Sequence, residues 1–413
     1  MNRKIVSFLL CLSLLFVCLL SLAGCGSAVG EGEDTRQTVD IAPEPGEASD
    51  ALDFAIRLYR AAYDGNNTLL SPLSVLAALA MTANGAKGET KSQMESALGM
   101  TVEELNAFFA EYLANLPNGE NCKLALADAI WIRNEDRLTV KDGFLNTNAD
   151  VYRAVAYRTS FDAAAVDEIN RWVKEKTDEM IEKFVDEIPR ETMVLILNAL
   201  AFDAKWAEPY RQESEVRPDD FTKENGEKVE VDYLCGRESL YLSDGDRAVG
   251  FVKPYAGGRY AFAALLPAEG TAVADYIASL DGERLATILK NKQSVPVEIR
   301  LPKFEVRSEL TLNEDLKTLG ITAAFDGDRA DFSGIADPDP FTLYISRVLH
   351  KTYIEVGEIG TRAAAVTGVF LDAYSGAYQE NPKIVSLDRP FVYLIWDVEN
   401  GLPLFIGTLN DPS

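Results

Sequence analysis

Apolar positions repeat with helical spacing early in the chain and with strand spacing later. Leu52, Ile56, Tyr59 and Tyr63 fall on one stripe that predicts a helix over 51–63, with Asp50 placed to cap it. Ser71-Pro72 is a cap followed by proline, the usual opening of a helix. That helix is expected to run to about Thr82 and to stop at Asn84-Gly85. Thr101-Val102-Glu103-Glu104 reads as a capping box for a helix carrying Phe108, Phe109 and Leu113. Ile169, Trp172, Val173, Met180 and Phe184 predict a further amphipathic helix over 169–184. From Thr192 to Ala204 the chain is almost continuously apolar, as a buried central strand is. Tyr260–Leu266 is similar, and Val295, Val297, Ile299 and Leu301 alternate with polar residues. Helices first and strands mostly later, with no repeat, predict one mixed α+β domain.

The N-terminus has a different pattern. Met1-Asn2-Arg3-Lys4 is basic, residues 5–20 are almost wholly apolar, and Ser21-Leu22-Ala23-Gly24-Cys25 follows. These are the parts of a secretory signal. Leu22-Ala23-Gly24-Cys25 resembles the lipobox of bacterial lipoproteins, which implies lipidation of Cys25 and loss of residues 1–24. Residues 26–50 carry seven acidic side chains against Arg36 alone, with no period. They read as a solvated tether, so the expected organisation is signal 1–24, tether 25–50 and folded domain 51–413. The expected location is the outer face of a bacterial cell membrane, extracellular.

Charge and chemistry narrow the function by exclusion. The formal net charge of −25 opposes nucleic-acid binding. Past Cys25, only Cys122 and Cys235 remain; two thiols make no disulfide framework and read as small buried hydrophobes. His350 is the chain's one histidine, set in a strand-like stretch. No nucleophile elbow, zinc spacing or phosphate loop accompanies it. An enzyme is therefore not expected, and neither is a cofactor or metal.

The informative segment is Glu358-Ile359-Gly360-Thr361-Arg362-Ala363-Ala364-Ala365-Val366-Thr367-Gly368. It is small throughout and charged only at Glu358 and Arg362. As a strand it would alternate faces. Thr361, Ala363, Ala365 and Thr367 would point one way, all small; Arg362, Ala364 and Val366 would point the other, where Arg362 reaches water. A gap in a sheet can be filled late only by inward side chains of this size.

This run resembles the hinge of the serpin reactive loop, and the resemblance covers nearly all of 51–413. Ser71-Pro72-Leu73-Ser74, Gly85-Ala86-Lys87-Gly88-Glu89-Thr90, Ile169-Asn170-Arg171-Trp172-Val173, Leu197-Asn198-Ala199-Leu200-Ala201-Phe202 with Trp206, Lys253-Pro254-Tyr255 and Arg389-Pro390-Phe391 occur in the family's order. The resemblance implies the α+β serpin fold, about eight or nine helices on three β-sheets with an exposed loop. It also implies suicide inhibition: a protease cuts the loop, stays acylated, and is trapped as the loop inserts into the central sheet.

Residue roles carry over on the same footing. Counting by the family's spacing from Glu358 puts the cut bond at Tyr374–Ser375, with Tyr378–Gln379 as the alternative. Tyrosine there implies a chymotrypsin-like serine protease. Papain-like cysteine proteases, or a non-inhibitory surface binding role, stay open. Ser71, Ser74, Asn198 and His350 match the cluster that gates sheet opening. Trp206, Lys303 and Glu358 match the cluster at the sheet top. Ile359 and Arg362 depart from residues usually acidic in the family, and both are expected to face outward. The expected partners are the target protease and, through the lipid, a membrane; the chain is expected to be a monomer that binds no nucleic acid.

Overall fold

The apolar run after Thr192 becomes the strand Val194–Lys205, which sits inside a six-stranded sheet. In the computed structural model, which describes residues 47–117, 119, 121–339, 342–362 and 381–413, that sheet has a fixed order. Phe304–Thr311 is followed by Leu349–Val356, Gly360–Thr361, Val194–Lys205, Cys122–Arg133 and Val155–Thr159.

Alternation decides what each face of this sheet covers. Ala129, Trp131, Leu197 and Ala199 meet Ile169, Trp172 and Val173 of the helix Ala163–Lys176. Leu124, Ile130, Ile132, Leu200 and Phe202 join the main core on the opposite face. There the helix Pro72–Ala83 lies beneath the strand Val194–Lys205. Ser71 caps it by accepting the Ser74 N–H, and the helix ends at Asn84. The capping box between Thr101 and Glu104 forms as expected.

The second network has nine strands. Its 16-residue strand Lys228–Ser243 pairs Val216–Thr222 at its start, Gln293–Pro302 along its middle and Ala248–Pro254 at its end. One long strand shared in this way joins two of the three expected sheets into a single hydrogen-bonded network.

Three local expectations are corrected. The first helix runs Glu47–Ala62, so Asp50 lies in its first turn and does not cap it. The helix predicted over 169–184 ends at Lys176. Thr177 Oγ1 bonds back to Val173 O and accepts the Ile181 N–H. Asp178 and Glu179 then take positive φ of 46° and 64°, a left-handed turn that no helix continues through. Met180 and Phe184 are buried nonetheless, which explains their apolar spacing. Finally, Cys122 and Cys235 are free and only half-buried, and of the two Cys122 packs against the edge of the main core.

Candidate functional site

The strands Val194–Lys205 and Leu349–Val356 run in the same direction, and only a two-residue strand, Gly360–Thr361, joins them. It is antiparallel to both, because the chain leaves Leu349–Val356, reverses at Gly357–Ile359 and comes back between its neighbours. Gly357 N–H donates to Gly360 O at 3.0 Å to close the reversal. Past Thr361 the two long strands have no backbone pairing to one another among the described residues. A cavity of about 180 Å³ opens farther along this seam, lined by Leu195, Leu197, Asn198, Val348 and His350 from the sheet side and Ser74 beneath.

The turn is clamped from several sides. Lys303 Nζ pairs with Glu358 Oε1 at 2.8 Å. Tyr210 N–H donates to Glu358 O, Trp206 N–H to Ile359 O and Trp206 Nε1–H to Gly357 O, each at 2.8 Å. Trp206 stacks on Tyr255 with ring centres 4.5 Å apart, and the Tyr255 hydroxyl meets Thr361 Oγ1. Beneath, buried Lys253 bonds Glu238 at 2.7 Å and lies 4.4 Å from the Tyr210 ring. Burial pushes the Glu358 carboxyl up, but Lys303 and the turn's backbone outweigh it and its pKa is lowered. Gly360 is demanded by space: a Cβ there would lie 2.0 Å from Ala204 O, a distance that backbone cannot accommodate. Thr361 is buried, as its inward assignment requires. Arg362 is half-exposed on the other face, with its N–H donating to Glu355 O at 2.8 Å.

The second cluster sits lower in the same seam. Ser71 N–H donates to His350 Nε2 at 2.9 Å, which fixes His350 as the neutral acceptor at that nitrogen. Burial lowers its pKa to about 4. Ser74 Oγ donates to Asn198 Oδ1, and Asn198 Nδ2 donates to Asp128 Oδ1 at 2.8 Å. The expected quartet of Ser71, Ser74, Asn198 and His350 thus comes together between helix and sheet.

Asp128 is a member that the sequence reading did not assign. It is buried, its Oδ2 has no partner among the described residues, and desolvation raises its pKa to about 7. The signal was present: a single carboxyl in the apolar stretch Leu124–Ile132. Tyr210 and Tyr255 were likewise unassigned as parts of the upper cluster. Ala363, Ala364, Ala365, Val366, Thr367, Tyr374, Ser375, Tyr378, Gln379 and Cys25 lie outside the described residues.

Comparison with known proteins gives one family and one fold. The family model described as Serpin (serine protease inhibitor) matches residues 49–412. An uncharacterized serpin-like protein of Thermococcus kodakarensis is 32% identical over 369 residues, covering 87% of this chain and 84% of its own. The crystal structure of the thermophilic serpin tengpin in its native state superposes with a TM-score of 0.84 at 42% identity, covering 89% of this chain and 95% of that one. The latent state of tengpin scores 0.78 at 40% identity, covering 88% and 96%.

Proposed function

The chain belongs to the serpin family, whose members are generally protease inhibitors and not enzymes, and on that premise we propose that it traps a chymotrypsin-like serine protease. The observation that carries the reading is the partly filled seam. Gly360–Thr361 already pairs both neighbours, and beyond it no strand joins the two among the described residues. Reactive-loop insertion is strand addition to such a gap.

The register defines where an inserted loop would go. Thr361 pairs Val356 and Ala204. Continued in step, Ala363 comes beside Ile354 and Phe202, and Thr367 comes between His350 and Asn198. Ile354 and Phe202 face the core, so Ala363 must be small. Thr367 brings a hydroxyl to the polar gate, where a buried polar group needs a partner.

The chemistry belongs to the protease. Its serine attacks the Tyr374 carbonyl, the Tyr374–Ser375 bond breaks, Ser375 leaves with a free amine, and an ester to the protease remains. Release of the loop end lets 362 onward enter the seam and carries the esterified protease along. Hydrolysis of the ester then stalls, since a misplacement of about 1 Å costs on the order of 10²-fold.

We also place the inhibitor on the outer face of a bacterial membrane through a lipid on Cys25, supported by the Leu22-Ala23-Gly24-Cys25 motif. Mixing the protein with chymotrypsin and with trypsin tests the main reading. An SDS-resistant adduct mainly with chymotrypsin, and a loop cut after Tyr374 by mass spectrometry, is the expected result. Absence of any adduct across a protease panel overturns it.

A further inference from the structure

The outer face of the six-stranded sheet carries a row of charges at the level where the loop has begun to pair. Register places Glu305 opposite Glu355 and Lys123 opposite Asp203. Between Glu355 and Asp203 lies the slot that the returning chain fills. Thr361 pairs Val356 and Ala204, so the same register, carried one residue further, assigns Arg362 the position between Glu355 and Asp203. Its N–H already donates to Glu355 O at 2.8 Å.

The side chain is held on that face. Its guanidinium donates to Asp178 O and lies 5.8 Å from the Tyr353 ring centre. Burial, with Asp178 adding to it, raises the Asp203 pKa against the opposing charges of Arg362 and Lys123, so Arg362 and Asp203 are in electrostatic reach. Across the sheet the row therefore reads Glu305, Glu355, Arg362, Asp203, Lys123. Without the arginine, the carboxylates of Asp203 and Glu355 would line both sides of the slot, while Glu305 behind Glu355 is paired with Arg307 at 2.8 Å. Like charges set side by side across strands are destabilising. At the same time Arg362 has φ of 45°, so its backbone has not yet become strand.

We propose that Arg362 is a positioning residue for loop insertion, the cation matched to a slot walled by Asp203 and Glu355, and that this match sets how often insertion outruns release of the protease. The inference rests on the trapping reading above. An acidic residue at this place, which the family usually has, would be repelled by the slot of this chain.

The test is the partition between trapped adduct and cleaved, unbound inhibitor, measured on gels with chymotrypsin. Arg362→Glu is expected to raise the cleaved share about three- to fivefold, and Arg362→Gln by less. In an Asp203→Asn/Glu355→Gln background the Arg362→Glu change is expected to have no effect. Raising the salt concentration is expected to move the parent protein toward the Arg362→Gln value. A merely structural role would show neither the background dependence nor the salt dependence. Circular dichroism melting confirms that each variant is folded before the loop is cut. If the parent traps and Arg362→Glu partitions as the parent does, the inference fails and the trapping reading stands. If the parent forms no adduct, both fall together.

Discussion

Lys303 Nζ lies 2.8 Å from Glu358 Oε1, and this contact fixes the residue at which the chain turns back into the sheet. Trp206 and Tyr210 hold the backbone on either side of that carboxylate. Side chain and backbone therefore bind one three-residue reversal, and the first paired residue, Gly360, follows it directly.

Reversing that charge should loosen the turn. Glu358→Lys sets two ammonium groups against each other and is expected to cost about 1–2 kcal/mol. Chemical denaturation at neutral pH checks this. Because the folded pKa of Glu358 is lowered, its contribution is present above the unfolded value and is lost as pH falls through the folded one. Glu358→Gln and the parent protein should thus converge once the pH has fallen through the lowered Glu358 value, on the acid side of an ordinary glutamate.

Gly360→Ala puts a Cβ 2.0 Å from Ala204 O. The first pairing to Val194–Lys205 must break or the strand must shift, at a cost of about 1–3 kcal/mol. The expected outcome is a lower melting midpoint for the uncut protein, together with loss of amide protection at Thr361, which is registered on Ala204, in hydrogen exchange.

The polar cluster around His350 and Asp128 should respond to pH from both sides. His350 has its pKa lowered by burial from 6.5 to about 4. The unfolded chain therefore binds the extra proton first, and stability falls as pH drops between those values. Asp128 has its pKa raised by burial from 3.8 to about 7, so its part of the stability falls as pH rises between those values. Asp128→Asn is expected to melt at least about 2 °C higher than the parent at pH 8 and to match it near pH 4. His350→Gln is expected to lose the acid limb and keep the alkaline one. Melting curves across pH 4–8 separate the two.

How far the sequence exposed this site follows from the range of each signal. Caps such as Ser71 and the Thr101–Glu104 box are local, and they form as read. Ser71 and Ser74 lie far in sequence from Asn198 and His350, and no periodicity joins them; family likeness did. Asp128 escaped because one carboxyl in an apolar strand looks like an exposed position until the neighbouring strand supplies Asn198. The end of the helix at Lys176 escaped because Met180 and Phe184 keep a helical spacing while the backbone reverses at Asp178 and Glu179. The union of two expected sheets depended on the length of one strand, Lys228–Ser243, which alternation alone does not bound.

Ala363→Arg addresses the inserted state itself. In the register set by Thr361 its side chain would face Ile354 and Phe202 in the core, where an unpaired cation is not tolerated. The expected outcome is normal cleavage by chymotrypsin with at least about a tenfold loss of adduct, scored by denaturing gel.

The most direct measurement is the melting midpoint before and after a single cut in the loop. If the segment following Thr361 becomes a full central strand, the clipped protein should melt more than about 10 °C above the intact one, a gain of several kcal/mol. An unchanged midpoint, with 363–374 still open to a second protease, would contradict the account.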